Sequence, residues 1–369
     1  MVEPNPSKGV AFCMLTNLIW GVVPIYWKQL NHVPYLQLLC HRIVWALPTL
    51  LLFLLATRQL HVLHHALCDW NLVLRYASSS LLLGASLFTT LWAVNAGHIV
   101  DLSLAFFVFP LLNVLLGIVF LGERLRRYQW VAVGCATIGV LVVGISYGHV
   151  PWIALGIGFI FSIYGLVKKL APLDPVTGVT IELTLLAIPA AVYLVACRSV
   201  FGHDNLTTDL LLVGAGVFPT AIPYVLFSAA AQHISMTWLG VLQYIQPSIQ
   251  FCIGVYLYNE PFTTAKLVGF ILVWVALVMF TIESILWHRH KTASLASNVV
   301  DEIQVVVKSP VGSELCDGAR EGAIFFHLSK NHVWHGIATP KSTSQGTSVV
   351  SSPRSSFLTN DATFVGECT

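Results

Sequence analysis

The run LAFFVFPLLNVLLGIVFLGE, residues 104–123, returns in altered form as GVLQYIQPSIQFCIGVYLYNE, residues 240–260. Pro110 aligns with Pro247, Asn113 with Gln250 and Glu123 with Glu260 at one constant offset, so the runs share a register as well as a composition. Internal repetition decides architecture before any motif does, because each copy is a structural unit. Both runs also reach the length of about 20 apolar residues that a spanning helix needs.

The rest of the chain has the same character. Of its 369 residues 56% are hydrophobic and only 10% charged, against about 25% charged in a soluble domain. Such a chain belongs in a bilayer. The formal charge of +2 carries no nucleic-acid signal, and the Lys and Arg residues sit at segment ends. The eight Cys residues, Cys13, Cys40, Cys135 and Cys252 among them, show no CxxC or other ligand spacing; most lie in apolar runs, where Cys behaves as a small hydrophobe. Of the 14 His residues, only His61, His64 and His65 cluster, beside Asp69 in a predicted loop, which makes a poor metal site. No cofactor and no metal are expected. HExxH, GxSxG, Walker and GxGxxG motifs are missing, so neither is an enzyme.

The polar lead MVEPNPSK lacks the features of a cleavable signal, so the first apolar segment is expected to remain as a helix. Ten segments qualify as spans: about 9–27, 35–57, 73–95, 102–121, 128–147, 151–169, 176–197, 210–232, 237–258 and 264–287. Short loops between them carry the breakers and charges, such as Gly122-Glu123-Arg124 and Asn259-Glu260-Pro261. Lys8, Arg58, Arg75, Arg124, Arg126, Arg127, Lys168, Lys169, Arg289 and Lys291 fall on the side of the N-terminus, against Lys28, Arg198 and Lys266 on the other. This bias places both termini in the cytosol, of a cell or endomembrane. It also sends the sequon Asn205-Leu206-Thr207 outside.

The fourth and ninth spans are five apart, and an odd number of spans per repeat inserts the second copy upside down. The expected organisation is a cytosolic lead at 1–8, a five-helix repeat at 9–147, an inverted five-helix repeat at 151–287 and a disordered cytosolic tail at 288–369. The fold class is thus an all-α membrane protein of ten transmembrane helices. The tail is rich in Ser, Thr and Gly, and Ser309-Pro310, Thr339-Pro340 and Ser352-Pro353 are either kinase targets or turn dipeptides.

Polar groups at membrane depth point to function or to helix–helix bonding. In the ninth span Gln243, Gln246, Pro247 and Gln250 follow the i, i+3, i+4, i+7 spacing of one face, with Tyr244 beside it. This stripe is expected to line a cavity, the alternative being amide bonds between helices. Its mates by the repeat offset are Phe106, Phe109, Pro110 and Asn113. Asn95 and Gln232 extend the register, and Trp20 shares a face of the first span with Asn17, Gly21 and Pro24. Arg42 and Glu182 each lie about seven residues into a span, too far apart in depth to pair directly. Arg42, with His41 and Trp45, can hold an anionic or aromatic group, or else snorkel. Glu182 is a candidate proton carrier, or a capped carboxyl near a helix start. Glu123 and Glu260 are expected to cap the helices that follow them.

The segments KGVAFCMLTNLIWGVVPIYWKQL, HRIVWALP, WAVNAGHIVDLSLAFFVFPLLNVLLG, FLGERLRRYQW, PWIALGIGFIFSIYGLVKK and LGVLQYIQPSIQF resemble the RarD proteins, EamA-type members of the drug/metabolite transporter superfamily. The resemblance runs from about residue 8 to 287. It implies a ten-helix inverted-repeat bundle around a central cavity, with the fifth and tenth helices peripheral. The function expected is secondary transport of small metabolites or drugs by alternating access with proton coupling; the alternative is a polytopic receptor or scaffold with a regulatory tail. The expected substrate contacts are Gln243, Tyr244, Gln246, Gln250, Asn113, Trp20, Asn95 and Arg42, with Glu182 for the proton. The partners are a small solute and membrane lipids; a homodimer and kinases acting on the tail are compatible with the sequence, and nucleic acid is not expected.

Overall fold

The computed structural model of the chain describes residues 5–146, 151–197, 199, 201–202, 205–258, 264–307, 324–328, 334–338 and 363–366. The chain divides into a unit ending at Glu283 and another beginning at Ser284.

The first unit is helical throughout its described residues, and the caps show why each helix begins where it does. Asn5 accepts a bond from the Lys8 amide at 3.2 Å and Pro6 opens α1, Pro6–Gln29. Then follow α2 (Tyr35–Ala56), a short α3 (Leu60–Cys68), α4 (Trp70–Asn95) and α5 (Ile99–Leu121). Gly122 ends α5 at φ +64°, a conformation that glycine adopts without strain. After α6 (Arg127–Ser146) and α7 (Trp152–Lys169), Asp174 and Pro175 start α8, Pro175–Ala196, in the manner of α1. Asn205 of the sequon caps α9, Leu206–Gly216. A π-helical turn, Val217–Ala221, continues α9 into α10, Ile222–His233. Ser235 caps α11, Met236–Gln243, which is followed by α12, Ile245–Cys252, and a second π-helical turn, Ile253–Leu257. The last helix is α13, Thr264–Val307.

Among the described residues nine helical segments are long and apolar enough to cross a membrane. The ninth expected span, 237–258, is helical but discontinuous, breaking at Tyr244 between α11 and α12. Pro247 explains the break, because it has no N–H to return to the carbonyl of Gln243. The polar stretch expected as a loop after α2 forms α3 instead.

α5 packs on α7 and α11, α1 on α10 and α12, α2 on α8 and α9, and α4 on α7 and α8. Small residues set the closest crossings. A Cβ on Gly216 would lie 2.5 Å from the Ala46 amide nitrogen, so α2 and α9 touch through backbone. Within α7, Gly158 and Gly165 face neighbours, whereas Gly156 faces open space. Leu52, Leu81, Phe120, Ile145 and Val195 are more than half exposed, as a lipid-facing surface requires.

The second unit departs from the expectation of a tail without regular structure. α13 continues to Val307, since residues 288–307 contain neither Gly nor Pro and nothing stops the helix. The run Gln304 to Val307, β-prone in sequence, is therefore helical. Three short strands, β1 (Ile324–Leu328), β2 (Trp334–Ala338) and β3 (Thr363–Gly366), pair antiparallel in the order β2-β1-β3. The three Ser/Thr-Pro sites and Asn259-Glu260-Pro261 lie outside the described residues.

Candidate functional site

Arg42 and Glu182 are both buried in the helical unit, and each is held by a different set of partners. Arg42 is 7% exposed and sits seven residues after the first residue of α2. Its Nε donates to Thr220 Oγ1 at 3.1 Å, and its guanidinium lies 5.0 Å from the centroid of the Trp27 ring, within cation–π range. Thr220 belongs to the π-helical turn between α9 and α10, and its hydroxyl donates to the Ala215 carbonyl at 2.8 Å. The oxygen is thereby turned to accept from arginine. The neighbouring Pro219 carbonyl accepts from Trp20 Nε1 at 3.4 Å, so one turn anchors both side chains. Turns of this kind recur at functional sites.

Trp20 opens an aromatic cluster. Its ring centroid is 5.2 Å from Tyr224 and 5.8 Å from both Phe161 and Phe227, and Tyr164 stacks on Phe227 at 6.0 Å. These rings fill the space between α1, α7 and α10. His41 and Trp45, expected beside Arg42, turn elsewhere. His41 Nε2 meets Ser199 Oγ at 2.8 Å, and both rings pack on Phe201. For His41 the reason is helical geometry, since adjacent residues point about 100° apart; Trp45 instead turns to the Phe201 ring.

Glu182 is likewise seven residues after the first residue of its helix, α8, and its side chain is 0% exposed. Lys168 Nζ lies 2.9 Å from Oε1, Ser79 Oγ donates to the same oxygen and the Tyr164 hydroxyl donates to Oε2 at 3.0 Å. Ser80 Oγ binds the Glu182 carbonyl at 2.9 Å. The ammonium also lies 5.6 Å from the Tyr76 ring and 5.8 Å from that of Tyr164. Read from sequence as a cation at the end of a span, Lys168 is in fact buried, because α7 packs on α4 and the Lys168 ammonium meets Glu182 of α8. Arg42 and Glu182 do not bond to each other; their partners are Thr220 for the one and Lys168, Ser79 and Tyr164 for the other.

The amide stripe has two kinds of contact. Gln243 and Asn113 are fully buried, and Asn113 Nδ2 donates to Gln243 Oε1. This is the interhelical amide bond held as the alternative, joining α5 to α11. Gln250 Nε2 donates to the Trp20 carbonyl at 3.2 Å, and the Tyr244 hydroxyl to the Phe107 carbonyl at 3.2 Å. Gln246 is buried in α12. Asn95 is the last residue of α4, and its side chain lies outside the described residues. A groove of about 520 Å³, lined by Ile245, Ser248, Ile249, Cys252 and Tyr256 among others, is almost wholly apolar and contains none of the expected contacts. His61, His64 and His65 form no metal-binding group among the described residues.

Glu123 departs from expectation in its partner. Its carboxylate accepts from the Met236 and Thr237 amides at 2.6 and 2.9 Å and from Thr237 Oγ1 at 2.6 Å. It therefore caps α11, not the α6 that follows it, because the end of α5 packs beside the start of α11. Lys169 closes the same corner, its Nζ donating to the Ile234 carbonyl at 2.5 Å.

Sequence reasoning missed Ser79 and Thr220 as members of these sites, and it pairs Lys168 with Tyr164 on one face without finding their partner Glu182. The spacing of Tyr164 and Lys168, one helical turn apart, was a usable signal; the two hydroxyls carry none until their helices are placed.

The arrangement has known relatives. The model of the EamA-like transporter family matches twice, at residues 7–145 and 150–282. The chain is 38% identical over 295 residues to an uncharacterized transporter, YojE, of Bacillus subtilis, covering 78% of this chain and 98% of that one. It is 37% identical over 293 residues to Protein RarD of Escherichia coli, covering 78% and 99% respectively. One solved crystal structure, at 19% identity, shares the fold with a TM-score of 0.59 over 75% of this chain and 99% of its own. With both halves of its helical unit matched, this multi-pass membrane protein belongs to the EamA-like transporter family.

Proposed function

We propose that the protein is a secondary transporter that moves small organic solutes by alternating access between two inverted five-helix repeats. The observation that carries this reading is the set of buried polar bonds that tie the first family match to the second: Arg42 to Thr220, Ser79 to Glu182 and Asn113 to Gln243. A protein that rocks one half against the other has to remake such bonds, and a site between the halves is where a transporter keeps its solute. The discontinuous 236–257 segment serves in this reading as the ninth of ten spans, with both termini on the cytosolic side and the solute held by Trp20, Arg42, Asn113, Gln243, Gln246 and Gln250. Asn95 and Tyr244 complete the set. Glu182 is the proton carrier, since protonating it releases Lys168 and loosens the contact with α4.

Two experiments test the proposal. A thermal-shift screen of the purified protein against metabolites and amphenicol drugs identifies a solute, because a ligand of the folded state raises its stability. In proteoliposomes, Gln246→Ala then lowers uptake of that solute while folded protein is recovered in full; unchanged uptake removes the stripe from the site. The double variant Glu182→Gln/Lys168→Met, which deletes both charges together, transports without acceleration by a pH gradient. Retained acceleration ends the coupling assignment.

A further inference from the structure

Arg42 is a buried cation without an anion. A guanidinium offers five N–H donors and keeps its charge at any pH a cell meets. Among the described residues one donor is used, Nε to Thr220 Oγ1, and the terminal nitrogens Nη1 and Nη2 have no hydrogen-bond partner. None of the ion pairs found among these residues includes it: they join Lys168 to Glu182, Arg126 to Glu283 and His98 to Asp101. A nine-tenths-buried charge in a membrane protein is costly unless something neutralises it, and neither Thr220 nor the Trp27 face does so fully.

We propose that Arg42 receives the carboxylate of a small monovalent organic anion, which is the solute of the transporter proposed above; the inference rests on that reading. The two free terminal nitrogens present the fork that binds a carboxylate through two parallel bonds. One guanidinium balances one negative charge. The nearby cations do not add a second: Lys28 sits 3.6 Å over the centroid of the Tyr258 ring, and His41 turns to Ser199. A dianion such as a phosphate monoester would keep an unmatched charge. The body of the solute is apolar and flat enough to lie against rings, because the charge lies against the Trp27 ring and Trp20, which packs on Tyr224, is bonded to the Pro219 carbonyl next to Thr220. The same turn that orients Thr220 toward Arg42 holds Trp20 through Pro219, so the charged and the aromatic parts of the site are positioned together.

The test uses hippurate, an aromatic carboxylate, as the probe, with its methyl ester and phenyl phosphate as the neutral and dianionic counterparts. Equilibrium dialysis of the full detergent-purified chain measures binding, and counterflow of labelled hippurate in proteoliposomes measures transport. Hippurate binds more tightly than either counterpart, and Arg42→Gln weakens it at least about 30-fold, the scale expected when a buried charge loses its partner. Thr220→Val, which leaves the charge in place, weakens it only a few-fold and controls for folding, alongside the unfolding temperature of each variant. Equal binding of the methyl ester, tighter binding of phenyl phosphate, or an unchanged affinity in Arg42→Gln overturns the carboxylate site. Competition by chloride at hippurate-like concentrations overturns it in favour of a halide. Arg42-dependent binding without counterflow keeps the anion site and removes the transport reading; counterflow that ignores Arg42 does the reverse.

Discussion

Arg42 and Glu182 occupy corresponding addresses, each seven residues into the second long helix of its family match, yet their electrostatics differ in kind. Glu182 is closed: Lys168, Tyr164 and Ser79 supply a counter-charge and donors to both carboxylate oxygens. Arg42 is open, with a hydroxyl and an indole face but no carboxylate. Both reach across to the other half, Arg42 to Thr220 and Glu182 to Ser79. A duplicated frame repeats the address of a side chain and leaves its charge balance free to diverge. The half whose charges cancel is suited to holding the bundle together; the half whose charge does not cancel is suited to taking a ligand.

The difference is largest in stability. Glu182→Gln strands the Lys168 ammonium in the interior and lowers unfolding free energy by about 3–5 kcal/mol, read as a fall in unfolding temperature and in folded yield from detergent. Arg42→Met removes an unbalanced charge along with one hydrogen bond worth about 1 kcal/mol, so its stability stays within about 1 kcal/mol of the parent or rises. Equal losses at the two sites would break the comparison. A double-mutant cycle on Lys168→Met and Glu182→Gln sharpens it: the double variant recovers much of the single-variant loss, with a coupling of up to about 3 kcal/mol, whereas additive losses would mean that the pair contributes nothing as a pair.

Smaller effects test the uncharged bridges. Asn113→Ala leaves the Gln243 amide buried without its partner and costs about 1–3 kcal/mol; a neutral result would place water or solute at that bond. Glu123→Ala removes the acceptor of two backbone amides at the start of α11 and costs about 0.5–2 kcal/mol, measurable by the same unfolding assay.

Much of the helical unit was legible. Length and hydropathy give ten apolar segments, nine of which are continuous helices of spanning length among the described residues, and Gly122 reads as a helix stop from its residue type. The interruption of the 236–257 segment was only half legible, since Pro247 stood out while the break itself fell one turn earlier at Tyr244. In the candidate sites the polar residues were visible as anomalies in apolar runs, but their partners were not. Lys168 reads as a cation on the side of the N-terminus because it stands at a helix end, where a Lys ordinarily finds water. Ser79, Ser80 and Thr220 are ordinary hydroxyls in helices, and a helical Ser or Thr usually bonds its own preceding turn. The partner of Glu123 lies more than a hundred residues away and could not be inferred from its neighbours.

By itself the sequence determined that this is a membrane-embedded helical protein whose segments near 104–123 and 240–260 echo each other, because hydrophobic length and register are local properties of the chain. Only the tertiary structure decided which charge is balanced. Lys168 and Glu182 are 14 residues apart but on different helices, and Arg42 and Thr220 are 178 apart. Whether a buried charge finds a counter-charge depends on distances of a few ångströms between packed helices, and electrostatic energy in a low-dielectric interior changes steeply over such distances.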